Sequence, residues 1–404
     1  MRFFLLLPLV VAAQDTIRVM AYNLLHYGAT PGYCDTRCKD QQLRTIVGFV
    51  RPHLIGVNEV GPSAALVRRI LDSVLNVNGV TYWRSSLYQN TVSSDIVSAL
   101  FYDSRRFGWL GQELITTQGG LRDIFAYHLY YKAADLAQTQ DTIFVVAIVS
   151  HLKAGNASSD AQTRAQAAQA IRQYIQNLPS QRQRFVIEMG DHNLYGDSEA
   201  AYQTLTQVLV DPAPAGPWSG NATYAFFHSQ STRVQSLADG GSGGGLNDRF
   251  DFIFFAPSCT VSTAKVRYVP ASFKVIGQDG LHFGRSLTDS PTPAGYSQGV
   301  INALYAMSDH LPVVGEFAVA ASPAVVSLTV GQASLPVKWS VEGNTLILSA
   351  CEGLILRVID ALGREYFRGQ LGPNEQVKVS LPAGVYRIQG IGLYSFSGTV
   401  GVLP

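Results

Sequence analysis

The chain has 404 residues, 47% of them hydrophobic, and a formal net charge of +1. At roughly 100 to 200 residues per domain this suffices for two or three domains, or for one large domain and a small one. Charged residues make up only 15%, against about 25% in ordinary globular chains, so no global basic field attracts a long polyanion, and a nucleic-acid substrate would need a local basic groove.

The first 13 residues, MRFFLLLPLVVAA, place Arg2 before an apolar run that ends in small residues. This pattern predicts a signal peptide, since the run is shorter than the roughly 20 residues of a membrane span. No later segment is long and apolar enough to cross a membrane. The mature protein is therefore expected to be secreted through the periplasm or held at the cell surface. Export permits disulfides, and Cys34 and Cys38 in YCDTRCKD are expected to form a local bridge rather than a zinc pair, which would need ligands that no second cysteine pair supplies. Cys259 and Cys351 are expected to be single buried thiols in separate domains.

From Thr16 to about Ala320, short β-rich runs alternate with helical ones. IRVMAY (17–22), LIGV (54–57), VSALFY (97–102), IFVVAIV (143–149), FVIEM (185–189), FDFIFF (250–255) and VVGEFAV (313–319) read as strands. Leu43, Ile46, Val47 and Val50 fall at helical spacing. A second helix is expected over Asp160 to Gln176, capped by Ser158 or Ser159 and ended before Pro179, and a third after Asp197 and Ser198. Such alternation predicts an α/β layered domain with buried central strands. GGSGGG (240–245) lacks the Lys-Ser/Thr of a phosphate-cradling loop and reads as a flexible surface loop. After a boundary at Ala321 to Pro323, SLTV, VKWSV, LILSA, LILRVI, QVKVSL, VYRIQG and SFSGTVGV recur between Gly, Pro and Asn turns, which predicts a small all-β sandwich. The expected domains are thus 1–13, 14–320 and 323–404.

Chemistry-bearing side chains gather where these strands end. Asn23 follows IRVMAY, Glu59 follows LIGV, His151 follows IFVVAIV, and Asp191 with Asn193 follow FVIEM. Open α/β sheets place their sites at the carboxyl ends of strands. Asp251 lies among phenylalanines in RFDFIFF, where an unpaired carboxylate is costly to bury. Arg249 or a neighbouring histidine could compensate it, or it could orient a catalytic His. Asp309 and His310, in SDHLPV, bring a hard oxygen ligand beside a titratable base. Carboxylates and amide oxygens without thiolates favour Mg²⁺, Mn²⁺ or Ca²⁺ over zinc.

In AYNLLHYG, GVNEV, SHLKAG, GDHN, DRFDFIF and SDHLPV, in that order over about Ile17 to Phe317, the chain resembles the endonuclease/exonuclease/phosphatase family, the superfamily of DNase I, abasic-site endonucleases, neutral sphingomyelinases and inositol-polyphosphate phosphatases. It is also similar to exported Bacteroidetes-type members in LRD at Leu121, HSQSTR at His228 and GGGLNDRFDF at Gly243. The resemblance implies a four-layer α/β sandwich, two packed mixed β-sheets flanked by helices. It also implies that Glu59 is the main metal ligand, supported by Asn23 and Asp309. Asp191 and Asn193 would orient the attacking water and bind phosphate, Asp191 with a second metal as one arrangement. His151 and His310 would stabilise charge on the phosphoryl oxygens, with His310 held by Asp251 or Asp309, and Arg122 would contact phosphate. His192 stands where the family usually has Phe, and Asn247 where nearer relatives often have Asp. If the chain stays strand-like there, His192 points away from Asp191 and Asn193.

The last 80 residues or so resemble the C-terminal sorting domain of the type IX secretion system in LILRVIDALGRE and VSLPAGVYRI, although GTVGVLP lacks the basic residues such tails often carry. The expected function is divalent-metal-dependent phosphodiester hydrolysis on extracellular nucleic acid. The alternatives are a phosphatase or sphingomyelinase-like phosphodiesterase on lipid or small phosphoesters, and a surface-binding protein without catalysis.

Overall fold

In a computed structural model, residues 15–28, 33–134, 136–139, 141–319, 337–342, 345–350, 354–360, 365–372, 375–381, 384–391 and 396–402 are described. The proposed leader (1–13), the boundary at 321–323 and Cys351 lie outside them. By its contacts the chain divides into two compact units, Met1–Ser322 and Pro323–Pro404.

The first unit begins with β1 (Asp15–Tyr27), α1 (Thr36–Val50), β2 (Leu54–Val60), α2 (Ala64–Ile70), β3 (Trp83–Ser85) and β4 (Val97–Asp103). There follow β5 (Phe107–Thr116), β6 (Ile124–Tyr131), α3 (Leu136–Thr139), β7 (Ile143–His151), α4 (Ser158–Asn177), α5 (Ser180–Gln183) and β8 (Val186–Asp191). It ends with α6 (Ala200–Leu205), β9 (Asp251–Phe255), β10 (Val266–Tyr268), β11 (Lys274–Val275), α7 (Gln298–Met307) and β12 (Val313–Val319).

One sheet runs β10-β12-β1-β2-β4-β3, with β11 also on β12, and the other runs β5-β6-β7-β8-β9. Each is mixed and contains one parallel pair, β1 with β2 and β7 with β8. Such strands are buried on both faces, which is why their sequences read as unbroken apolar runs. The sheets meet face to face: a Cβ added at Gly56 would lie 2.9 Å from the Met189 sulfur and 3.0 Å from Val149, so only glycine permits this approach. Helices α1 and α7 pack together, as do α4 and α6, with α4 also against β5. The fold is therefore two packed mixed sheets flanked by helices, the four-layer arrangement expected.

Several local expectations change. Strands β3, β5 and β6 have no counterpart in the sequence reading; β5 is mostly half-buried or exposed, so it lacks a continuous apolar run. The residue capping α4 is Ala157, not Ser158 or Ser159, and the Asp160 carboxylate accepts the Ala157 N–H at 3.3 Å. The glycine-rich segment 240–245 is pinned rather than free: Gly244 and Gly245 donate to the Val234 and Arg233 carbonyls, and Ser231 Oγ donates to the Ser242 carbonyl at 2.6 Å. Cys34 and Cys38 form the expected disulfide, and Cys259 is a buried free thiol. No helix among the described residues is long and apolar enough to cross a membrane.

The second unit has two antiparallel sheets, β13 (Val337–Glu342), β14 (Thr345–Ala350) and β17 (Gln376–Ser380) in one, and β15 (Leu354–Asp360), β16 (Glu365–Leu371), β18 (Gly384–Ile391) and β19 (Phe396–Val402) in the other. Leu346, Leu348 and Val379 from the first meet Leu356, Val358, Leu371 and Ile388 from the second in one core.

Candidate active site

The two parallel pairs end at the same place. In the register of β1 and β2, Asn23 stands beside Asn58, one residue before Glu59. In the other sheet His151 stands beside Asp191, and Asp191 beside Asp251 at the start of antiparallel β9. Antiparallel β12 begins next to the carboxyl end of β1, so Asp309 and His310 arrive there as well. Each sheet thus contributes the ends of a parallel pair and the entry to an antiparallel strand.

Side-chain contacts join the two sets. Asn23 Nδ2 donates to Glu59 Oε1 and to Asp191 Oδ2, both at 3.0 Å. His151 Nε2 lies 3.5 Å from Asp191 Oδ2 and 3.8 Å from Glu59 Oε1. His310 Nε2 lies 3.6 Å from the same Asp191 oxygen. His310 Nδ1 is 2.7 Å from Asp251 Oδ2, which also accepts the Ser229 hydroxyl at 2.7 Å. Arg249 is not the partner of Asp251; it pairs with Asp211. Asn193 N–H donates to Asp191 Oδ1 at 3.1 Å, and its Nδ2 to the Leu152 carbonyl at 3.2 Å.

Two proposed metal ligands are placed differently. Asn23 Oδ1 accepts the Leu25 N–H at 2.9 Å, so its amide nitrogen faces the carboxylates and Asn23 bridges Glu59 and Asp191 instead of offering them an oxygen. Asp309 Oδ2 accepts the Ser242 N–H at 2.7 Å and the Gln230 amide at 3.2 Å, and Asp309 falls outside the group in which Glu59, His151 and Asp191 offer ligand atoms within 4.8 Å of one another. His151, expected only to stabilise charge, is in that group. The Nε and Nη1 of Arg122 are buried without a hydrogen-bond partner.

The residues fit a divalent cation. Glu59 and Asp191 bring two carboxylates to one point, the oxygen donors that suit Mg²⁺ or Mn²⁺, while the His151 imidazole beside them is a softer donor that Mg²⁺ seldom takes. Buried Asp309 Oδ1 and Asp251 Oδ1 also lack partners, so negative charge here exceeds the donors supplied. Burial pushes the Asp191 carboxyl above its usual range; His310 opposes this, while Asp251 and Glu59 add to it. The two histidines diverge. Burial, reinforced by Arg122 and His310, holds His151 well below the ordinary imidazole range. Burial also disfavours charge on His310, but Asp251, Asp191 and Asp309 outweigh it and hold that ring well above the range. Paired titratable groups whose environments separate them mark distinct acid–base roles.

Backbone strain concentrates here too. Leu25, His26, Glu59 and Asn193 have φ of 45°, 52°, 58° and 51°, left-handed values that cost energy for side-chain-bearing residues and cluster at functional sites. Residues missed in the sequence reading include His26, whose N–H donates to Glu59 Oε2 at 3.1 Å, and Asn58, whose Oδ1 accepts the Asp191 N–H at 3.0 Å. Gln230, whose amide lies 2.6 Å from His310 Nε2, is another; its segment HSQSTR carries a family resemblance but no local chemical signal. His192 faces away as expected: its ring lies 2.6 Å from Glu188 Oε2 and 3.0 Å from the Gly190 carbonyl, among Phe252 and Phe254.

Among solved structures, the chain is similar to an endonuclease/exonuclease/phosphatase from Bacteroides vulgatus, at 15% identity over 76% of this chain and 100% of that one, with a TM-score of 0.46. It is similar to the human Nocturnin catalytic domain with bound sulfate at 16% identity over 76% and 96%, TM-score 0.46. A mannosyl-6-phosphatase of Bacteroides thetaiotaomicron matches at 15% identity over 74% and 99%, TM-score 0.44. No protein-family profile and no curated protein matches the chain.

Proposed function

We propose that this chain is an exported, divalent-metal-dependent phosphoester hydrolase, and that its substrate is the phosphodiester backbone of extracellular nucleic acid. The observation that carries this is the convergence of Glu59, Asp191 and His151 on one cation-sized point beside the Asp251–His310 pair. Glu59, Asp191 and His151 would hold the cation, which when bound neutralises phosphoryl oxygen charge and acidifies water. Asp191, fixed by the Asn23 amide at 3.0 Å and the Asn193 N–H at 3.1 Å, is placed to orient the attacking water. His310, charged and fixed by Asp251, is suited to stabilise the developing oxyanion and to protonate the leaving oxygen. The unpartnered guanidinium nitrogens of Arg122 leave N–H donors for phosphoryl oxygens, and Asn193, set by its left-handed backbone, donates its N–H to Asp191.

Export is supported by the disulfide at Cys34–Cys38, which persists in oxidising compartments; transport through the type IX machinery by residues 323–404 rests on the sequence resemblance. A small-molecule or lipid phosphoester is the second reading, favoured by Lys153, which follows the His151 strand and is tied to Asp160 at 3.1 Å instead of standing free for a polyanion. Purified protein should be assayed on plasmid DNA, RNA, sphingomyelin and bis-p-nitrophenyl phosphate with Mg²⁺, Mn²⁺ and Ca²⁺. Cleavage of DNA or RNA that Asp191→Ala lowers by ~10² to 10⁴ supports the nuclease. Turnover confined to sphingomyelin or the small diester selects the second reading, and no turnover of any of them rejects both.

A further inference from the structure

The β1–β2 ladder breaks between Asn23 and Tyr27, where Leu25 and His26 turn left-handed. This bend aims two groups at Glu59: the Asn23 amide, fixed by the Leu25 N–H, and the His26 N–H. A left-handed Leu-His pair does not hold itself, because its side chains disfavour the conformation. Buried Lys39 holds it: its Nζ donates to the Leu24 carbonyl at 2.7 Å and to the Leu25 carbonyl. Neighbouring Asp40, equally buried, accepts the Tyr27 hydroxyl on the far side of the bend and pairs with Arg69 at 2.6 Å. Both residues lie in the first turn and a half of α1, which is fixed twice: the Cys34–Cys38 disulfide closes it, and the Asp35 carboxylate caps the Cys38 N–H at 2.9 Å.

We propose that Lys39, backed by Asp40 and the disulfide-closed start of α1, is a positioning residue that clamps the 24–27 bend and so sets Asn23 and Glu59 for cation binding. Ammonium groups are strongly hydrated and seldom buried without a carboxylate. The Asp239, Glu59 and Asp309 carboxylates lie near enough to favour the Lys39 charge, but its hydrogen bonds go to two main-chain carbonyls that the broken ladder turns toward α1, which is a use that packing alone does not require. The clamp works through main-chain geometry and never touches the substrate.

This inference rests on the reading of Glu59, Asp191 and His151 as a cation site, and Mn²⁺ binding to the full chain separates the two. Titration calorimetry with Mn²⁺ alone, without substrate, would be run on the wild type, Lys39→Met and Lys39→Arg, with circular dichroism as a folding check. Lys39→Met keeps the length but removes the donors and should weaken Mn²⁺ binding at least tenfold, and Lys39→Arg, which can still donate to both carbonyls, should recover most of it. Unchanged binding in Lys39→Met overturns the clamp. So does tighter binding, the result of merely deleting a nearby positive charge. If Lys39→Met does not fold, Tyr27→Phe carries the test by removing one hydroxyl of the clamp: a two- to fivefold weaker site is expected, and an unchanged one overturns it. A wild type that binds no Mn²⁺ rejects the cation site itself.

Discussion

The charge of Glu59 meets the Asn23 amide, the His26 N–H and, at 3.8 Å, the His151 ring, so Glu59→Gln removes a ligand charge with little change of shape. It should lower kcat/KM by at least ~10² with an unchanged circular-dichroism spectrum; a melted spectrum would make Glu59 a packing residue. The His192–Glu188 pair, fully buried behind Asp191, makes a different demand. His192→Phe fills the space but leaves Glu188 buried and unpaired, which costs about 3 to 5 kcal/mol, whereas adding Glu188→Leu should return most of that stability. Burial disfavours the His192 charge, but Glu188 outweighs it and raises the ring above 6.5. The stabilisation is therefore complete below pH 6.5 and is lost as pH climbs past the raised folded value. His53 has the opposite sign: burial, reinforced by Arg106, lowers its ring to about 4 while Nδ1 accepts the Arg18 N–H at 2.9 Å. The folded protein binds fewer protons than the unfolded chain between pH 6.5 and 4, so stability falls on acidification through that window. Chemical denaturation at several pH values should show His53→Asn flattening that fall.

At the scale of elements, the sheets meet above Gly56, and Gly56→Ala would drive a methyl to within 2.9 Å of the Met189 sulfur. Overpacking of this kind costs about 1 to 3 kcal/mol. Because Met189 and Asp191 share β8 and Glu59 follows Gly56 on β2, weakened Mn²⁺ affinity should accompany the lower Tm; a stability loss with unchanged affinity would show that the sheets absorb the methyl locally. The same geometry explains what was legible in the sequence. Asn23, Glu59, His151 and Asp191 each break a buried apolar run near its carboxyl end, a local signal. The pairing of Asp251 with His310 is only partly legible in the sequence, because a buried carboxylate announces a need for a partner without naming it. Asn58 reaches Asp191 across 133 positions, and Lys39 acts on carbonyls freed by an irregular ladder; neither leaves a periodic trace. Strand β5 was missed because its half-exposed residues resemble a loop, and the Asn23 amide orientation follows from the Leu25 turn, which composition does not encode.

At the scale of the molecule, each unit has its own core, one spanning both sheets of 15–319 and the other formed by residues such as Leu348, Leu356 and Ile388. Units with separate cores can fold alone, so a chain ending at residue 320 should remain soluble and keep its catalytic rate; an inactive or insoluble truncation would show that the second unit completes the first. Cation-dependent hydrolysis is the property on which the functional proposal turns. The most direct measurement is turnover of bis-p-nitrophenyl phosphate by the full chain after exhaustive EDTA treatment, and again after Mg²⁺ or Mn²⁺ is restored. The carboxylate cluster at Glu59 and Asp191 predicts a loss of at least ~10² that either cation reverses in the wild type but not in Glu59→Gln, whereas full activity in EDTA would contradict a metal-dependent hydrolase.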